Sequence, residues 1–196
     1  PTAAGAKWKG VMMNLTGGSR PMFDFGFAGP FTSTIWNTFG GDGTIDGILN
    51  KQGVDTNSFI YQFDADPTLT VEEYTFNTSI VQATAHPEAN RLRRDGLRWI
   101  PKANGNFSVP VVTLHTLGDM YVPSSQEQIF YRRAQVGTGK NWLVQRAIRG
   151  IGHCDFTVSE QVAALDAMLK WDQTGVKPDG DDVVTPATVA NANYGC

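Results

Sequence analysis

Asp119 and His153 are the residues of this chain best placed to do chemistry. Asp119 comes just after a run of β-branched and apolar residues at 109–116, which predicts a buried strand of a parallel sheet. His153 comes just after a second predicted strand, at 141–148. Both side chains should therefore fall at the carboxyl edge of the sheet, where ligands bind in open α/β folds. An imidazole oriented by a carboxylate is the general-base half of a nucleophilic triad.

Each of these residues also has a simpler interpretation. An aspartate after a strand is often a turn or capping residue, and a histidine is often a polar residue with ordinary hydrogen bonds. Their joint placement favours chemistry, because they are about one strand–helix–strand unit apart. Each also follows a glycine, which lets the backbone turn sharply. We therefore expect Asp119 and His153 to lie on neighbouring loops of one sheet edge.

Two helices are predicted to connect and follow these strands. Ser124 and Glu127 have the spacing of a capping box, and the helix that they open ends at Gly137. Thr157 and Glu160 have the same spacing and open a second helix. The order strand–helix–strand–helix with short connections predicts parallel pairing and an α/β fold. One face of the second helix carries apolar residues at helical spacing, namely Val158, Val162, Leu165 and Leu169.

The first half of the chain is less regular. Residues 7–16 are predicted to form a short buried strand that stops at a Gly-Gly turn. The stretch 22–43 mixes aromatic residues with glycine and predicts a loop or lid, whose rings either line an apolar pocket or pack in the core. Residues 71–81 and 88–99 are predicted helices. The second would present either a solvated basic face or an anion site, with Arg91, Arg93, Arg94 and Arg98.

Composition excludes several classes of protein. With 196 residues and 41% hydrophobic side chains, the chain is neither a disordered tail nor a fibrous repeat. A net charge of −3 lacks the basic footprint of a nucleic-acid or anionic-lipid partner. No apolar run approaches the roughly 18–20 residues that a membrane span needs. We therefore expect neither nucleic acid nor membrane as a partner, and no cofactor.

Two segments resemble the α/β-hydrolase family. The segment Pro110-Val-Val-Thr-Leu-His-Thr-Leu-Gly-Asp119-Met-Tyr-Val-Pro123 is similar to the family's acid strand and loop. The segment Arg149-Gly-Ile-Gly-His153-Cys-Asp-Phe-Thr157, followed by an amphipathic helix, is similar to its catalytic-histidine loop. The sequence of this loop resembles that of a group of bacterial hydrolases that act on esters or amides. The resemblance implies that Asp119 is the triad acid and His153 the base.

The resemblance also implies a fold and a division of the chain. The family's fold is a mostly parallel, doubly wound sheet with a lid over its edge. Residues 1–21 would be a core strand and turn that follow the nucleophile helix, and residues 22–106 a cap or lid insertion. Residues 107–178 would be the C-terminal half of the hydrolase core, which carries the acid and the base. Residues 179–196 would form an extended tail.

One required motif is missing from these residues. The family's nucleophile lies on a Gly-x-Ser-x-Gly elbow upstream of the acid, and the sequence contains no such motif. Ser19 is the nearest imitation, but Pro21 replaces the second glycine, and Thr2 is a weaker candidate still. We therefore expect the nucleophile and the oxyanion hole on a preceding segment or a separate chain. Without that partner, the chain should be inactive and expose an apolar sheet edge.

Several expectations stay open at this point. The substrate would be a small ester or amide. The alternative is a hydrolase-like binding module without a nucleophile, and a metal-dependent hydrolase using His115 and His153 ranks last. Cys154 either is a free thiol or pairs with Cys196 or a cysteine outside the chain, as in an exported protein. On this basis the protein would be secreted or periplasmic.

Overall fold

A computed structural model describes residues 1–29, 55–84 and 103–196. These residues form mixed α/β structure with a two-stranded parallel sheet. The predicted helix at 88–99 with its arginine cluster and the aromatic residues Phe31, Trp36 and Phe39 lie outside the described residues. In chain order the elements are α1 Ala3–Leu15, α2 Phe23–Ala28, α3 Val71–Ser79, β1 Val111–Thr116, α4 Ser125–Val136, a 3-10 helix Thr138–Asn141, β2 Leu143–Ile148, α5 Val158–Thr174 and α6 Pro186–Val189.

The two predicted strands pair in parallel, as the strand–helix–strand order indicated. Their register runs from Val111 opposite Leu143 to Thr116 opposite Ile148. α4 connects the strands and is tied to both of them, because the Glu127 carboxylate accepts hydrogen bonds from Thr113 and Gln145. The structure is compatible with an α/β class at this level. The larger doubly wound sheet stays a prediction.

The two predicted capping boxes have different outcomes. At α5 both bonds form between Thr157 and Glu160, and Gly175 ends the helix in the left-handed region at a φ of +71°. At α4 the box is absent. Ser124 has helical dihedrals, and its hydroxyl donates instead to the carbonyl of Thr16, while Glu127 is engaged by the strands. The helix itself ends at Gly137 as predicted.

The prediction of a strand over residues 7–16 is wrong, because this segment belongs to helix α1. Its apolar run does not by itself distinguish a buried strand from a helix. The side chain of Thr2 accepts a hydrogen bond from the Gly5 amide and caps the helix. Alanine, lysine, methionine and leucine, which favour helix, outnumber the one β-branched residue, Val11. Gly10 then allows close contact with the Phe63 carbonyl.

The prediction of an irregular loop from residue 22 onward is also wrong at its start. Residues Phe23–Ala28 form α2, which begins after Met22 adopts a left-handed φ of +66°. Phe23 is fully buried and packs against Met120, so it is a core residue and not a pocket-lining one.

The chain after α5 is packed onto the sheet and is not a loose tail. Asp181 donates its amide to Gln145 and accepts a hydrogen bond from Ala147 on its carboxylate, along the outer edge of β2. Cys196 also donates to Ala147. The buried residues of this segment are Val183, Val189 and Tyr194. The prediction of an extended or partly ordered segment at 179–196 therefore missed helix α6 and this packing.

Helix α5 presents its predicted apolar face to solvent in the described part of the chain. The four side chains of that face are between 44% and 76% exposed, namely Val158, Val162, Leu165 and Leu169. The opposite side buries Ala164 and Trp171, and Trp171 stacks on Trp142. None of the helices described is long and apolar enough to cross a bilayer.

Helix α3 confirms the predicted helix at 71–81 and carries a buried acid, Glu73. Its carboxylate accepts hydrogen bonds from the amides of Phe63 and Thr70 and from the Thr70 hydroxyl. These bonds lower the pKa of Glu73 below its usual value, with the Thr70 amide as the largest cause. Because the folded state lowers this pKa, the stabilisation is present above the usual glutamate pKa and is lost as the pH falls through the folded value.

We therefore expect Glu73→Gln to lower the thermal midpoint at pH 7, because the amide group would set an N–H against one of these donors. The difference in thermal midpoint between the variant and the wild type should become smaller as the pH is lowered. Calorimetry of the complete gene product at a series of pH values measures it. Glu72→Gln is the matched control, since Glu72 is exposed and its ion pair with Lys7 is a surface contact. An equal loss in both variants, or a loss independent of pH, would contradict this account of Glu73.

Candidate functional site

Asp119 lies in a buried loop that leaves the carboxyl end of β1. Gly118 precedes it and donates its amide to the Gly150 carbonyl of the neighbouring loop. A Cβ at Gly118 would lie 2.9 Å from the Met22 carbonyl oxygen, so only glycine permits this approach. The side chain of Asp119 is 2% exposed, and its Oδ1 accepts the amides of Tyr121 at 2.8 Å and Val122 at 3.1 Å.

His153 lies in the loop after β2 and meets Asp119 directly. The distance between His153 Nδ1 and Asp119 Oδ2 is 2.7 Å. The loop is anchored at Gly152, whose carbonyl accepts a hydrogen bond from the Thr116 hydroxyl. It turns at Cys154, which has a left-handed φ of +58°. The structure thus brings together the two residues that the sequence placed on one sheet edge.

This pairing assigns the protons of the imidazole. A carboxylate oxygen accepts, so Nδ1 donates to Asp119, and Nε2 of the neutral ring carries the lone pair. The His153 side chain is 49% exposed, and in the described residues its side-chain hydrogen bond is the one to Asp119. The Tyr121 ring packs edge-on to the imidazole. Such a histidine can accept a proton at Nε2 while its other nitrogen stays fixed.

Neither weak candidate nucleophile meets this imidazole in the structure. Ser19 is exposed in the turn between α1 and α2 and has no hydrogen bond to His153. The Thr2 hydroxyl accepts the Gly5 amide at the start of α1.

The other predicted alternatives gain no support from the residues described. His115 donates Nε2 to the Val122 carbonyl at 3.0 Å. Over the described ranges, no group of three or more His, Cys, Asp or Glu side chains is arranged to hold a metal ion. Cys154 and Cys196 are exposed and are not bonded to each other, and the pairing of Cys154 with a cysteine outside the chain stays a prediction.

A buried cation next to the Asp119 loop escaped sequence analysis. Arg20 is 7% exposed, and its Nε donates to the Leu117 carbonyl at 2.7 Å. Burial lowers the pKa of Arg20 to about 10, so the guanidinium stays charged at neutral pH. Its only sequence signal was its place in a Gly-Gly-Ser-Arg-Pro turn, which carries no periodicity.

Part of the chain is similar to a known amidase. A stretch of 89 residues, 44% of this chain, is 30% identical to the o-phthalyl amidase of Xanthobacter agilis. The match covers 20% of that protein, so the chain spans about a fifth of the relative's length. No protein-family model matches the chain, and no solved structure matches it.

Proposed function

We propose that Asp119 and His153 are the acid and the general base of a serine-type hydrolase that cleaves an ester or amide of a small molecule. The observation that carries the proposal is the 2.7 Å contact between a buried carboxylate and a half-exposed imidazole. The similarity to an amidase supports the reaction class. From that relative we carry over amide hydrolysis to this chain, and not the o-phthalyl group in its name.

In the proposed reaction, a serine hydroxyl attacks the carbonyl carbon of the substrate. Nε2 of His153 takes the hydroxyl proton as the C–O bond forms, and Asp119 stabilises the resulting imidazolium through Nδ1–H. The tetrahedral intermediate then collapses, and Nε2 gives the proton to the departing alcohol or amine. Water repeats the sequence on the acyl-enzyme, so the carboxylic acid leaves and the serine regains its proton.

We further propose that the serine and the oxyanion hole lie outside these residues, on a partner segment. No Gly-x-Ser-x-Gly elbow occurs in the sequence. Two surfaces support a partner. Among the described residues no strand pairs with the outer edge of β1, and α5, a helix in contact with β1, leaves its apolar face exposed. Unpaired strand edges and contiguous apolar faces are commonly covered in the native assembly.

The test is hydrolysis by the complete gene product. We expect it to cleave a p-nitrophenyl ester or the p-nitroanilide of the same acyl group, and comparing the two reports on ester or amide preference. Residues 1–196 produced alone should give no turnover above background. Failure of the complete product on a panel of both substrate types would favour the binding-module alternative. Turnover by residues 1–196 alone would place the nucleophile within the chain and contradict the partner segment.

A further inference from the structure

We propose that Arg20 is a positioning residue, whose buried guanidinium holds the Asp119 loop in the geometry that meets His153. The inference rests on the proposed function, in which Asp119 orients the base. Arg20 would touch neither substrate nor reacting atoms, and it would act through the backbone that carries the acid.

The guanidinium binds the Asp119 loop on one side and its own turn on the other. Nε donates to the carbonyl of Leu117, two residues before Asp119. The other two nitrogens donate to the Gly18 carbonyl at 2.9 Å and the Thr16 hydroxyl at 3.2 Å. The cation therefore joins two segments 97 positions apart in sequence.

The Phe23 ring, which lies under the Arg20 guanidinium, contacts the chain on the other side of Asp119. The Arg20 guanidinium carbon lies 4.9 Å from the centre of the Phe23 ring. Phe23 packs against Met120, the residue directly after Asp119. Contacts that begin at Arg20 thus reach the Leu117 carbonyl on one side of Asp119 and the Met120 side chain on the other.

The same turn also holds the far end of the loop. The Thr16 carbonyl accepts hydrogen bonds from the hydroxyl of Ser124 and the amide of Ser125, each at 3.1 Å. The Gly17 carbonyl accepts the side-chain amide of Gln128 at 3.0 Å. Arg20 links this turn to the start of the Asp119 loop, because its guanidinium binds both the Thr16 hydroxyl and the Leu117 carbonyl.

A guanidinium suits this role better than an ammonium. Its planar fork donates in fixed directions to three acceptors, whereas lysine is a single flexible point charge. A buried charge is retained only where its hydrogen bonds offset the cost of desolvation. A displacement of about 1 Å at a catalytic group can lower a rate roughly 10²-fold, so modest loosening of the loop should be visible in catalysis.

The experiment uses Arg20→Met and Arg20→Lys in the complete gene product. We expect kcat to fall about 10- to 100-fold in both variants, with KM within about threefold of wild type. In proton NMR, the strongly deshielded Nδ1–H signal of a histidine bonded to a carboxylate should weaken or vanish in both. Arg133→Met is the matched control, since Arg133 also donates to a distant carbonyl, that of Ala103, but from the last turn of α4.

The outcomes separate this inference from the proposed function. An unchanged Nδ1–H signal and unchanged kcat in folded Arg20 variants would overturn it, as would full recovery in Arg20→Lys. If Arg20→Met does not fold, the kcat and the Nδ1–H signal of Arg20→Lys test the inference. If the wild type hydrolyses no substrate, the proposed function fails, while the NMR signal still decides whether Arg20 positions Asp119.

Discussion

His153→Ala should lower kcat of the complete gene product by roughly 10⁴- to 10⁶-fold, the range for losing the base of a serine triad. The physical reason is that the serine proton would have no acceptor, since Nε2 of His153 is the proposed base. KM should change by no more than about threefold, because the imidazole contributes little to substrate binding in its ground state. Steady-state kinetics on the p-nitrophenyl ester or the p-nitroanilide, whichever the wild type cleaves, measures both constants.

The matched control for this variant is His115→Gln. The glutamine can still donate to the Val122 carbonyl, the partner of His115 Nε2. We expect kcat to stay within about threefold of wild type. A loss in His115→Gln as large as in His153→Ala would favour the metal-dependent alternative, and unchanged activity in His153→Ala would contradict the assignment of the base.

The second large effect is expected from Asp119→Asn, with kcat lowered by about 10⁴-fold. Oδ1 of this residue accepts two backbone amides, from Tyr121 and Val122, and the asparagine oxygen would keep that position. The asparagine NH₂ would then face Nδ1 of His153 and donate to it. The imidazole would carry its proton on Nε2, which is the tautomer that cannot accept a proton from serine.

This variant separates orientation from folding, because asparagine has nearly the shape of aspartate. Its thermal midpoint should stay within a few degrees of wild type, while kcat falls. Asp155→Asn is the matched control, since Asp155 is an exposed acid two residues from His153. We expect this variant to keep the wild-type kcat. If Asp119→Asn keeps kcat within about tenfold of wild type, Asp119 does not set the tautomer of the base.

The contact between Asp119 and His153 was predictable, because their positions in the sequence alone bring the two residues together. Each follows a glycine at the end of an apolar strand, and parallel pairing brings the two strand ends together. Strand β1 was predictable from its β-branched run, and α5 from a capping box that forms as its spacing indicates. These signals are local in sequence.

The errors lie where distant contacts decide local structure. Residues 7–16 are apolar enough for a strand, but they lie in a helix whose Gly10 packs on the carbonyl of Phe63, far away in sequence. Ser124 has the right spacing for a cap, but its hydroxyl is used by Thr16, 108 positions away. Arg20 carries no periodic signal, and its partner Leu117 is 97 positions away in sequence.

The most direct test of the central claim is covalent labelling of the complete gene product with a fluorophosphonate, followed by mass spectrometry of the labelled peptide. A fluorophosphonate reacts with a serine that an adjacent base activates. We predict a single labelled serine outside residues 1–196, and a labelling rate at least about 10³-fold lower in His153→Ala. A label on Ser19, no label at all, or undiminished labelling in His153→Ala would contradict the account.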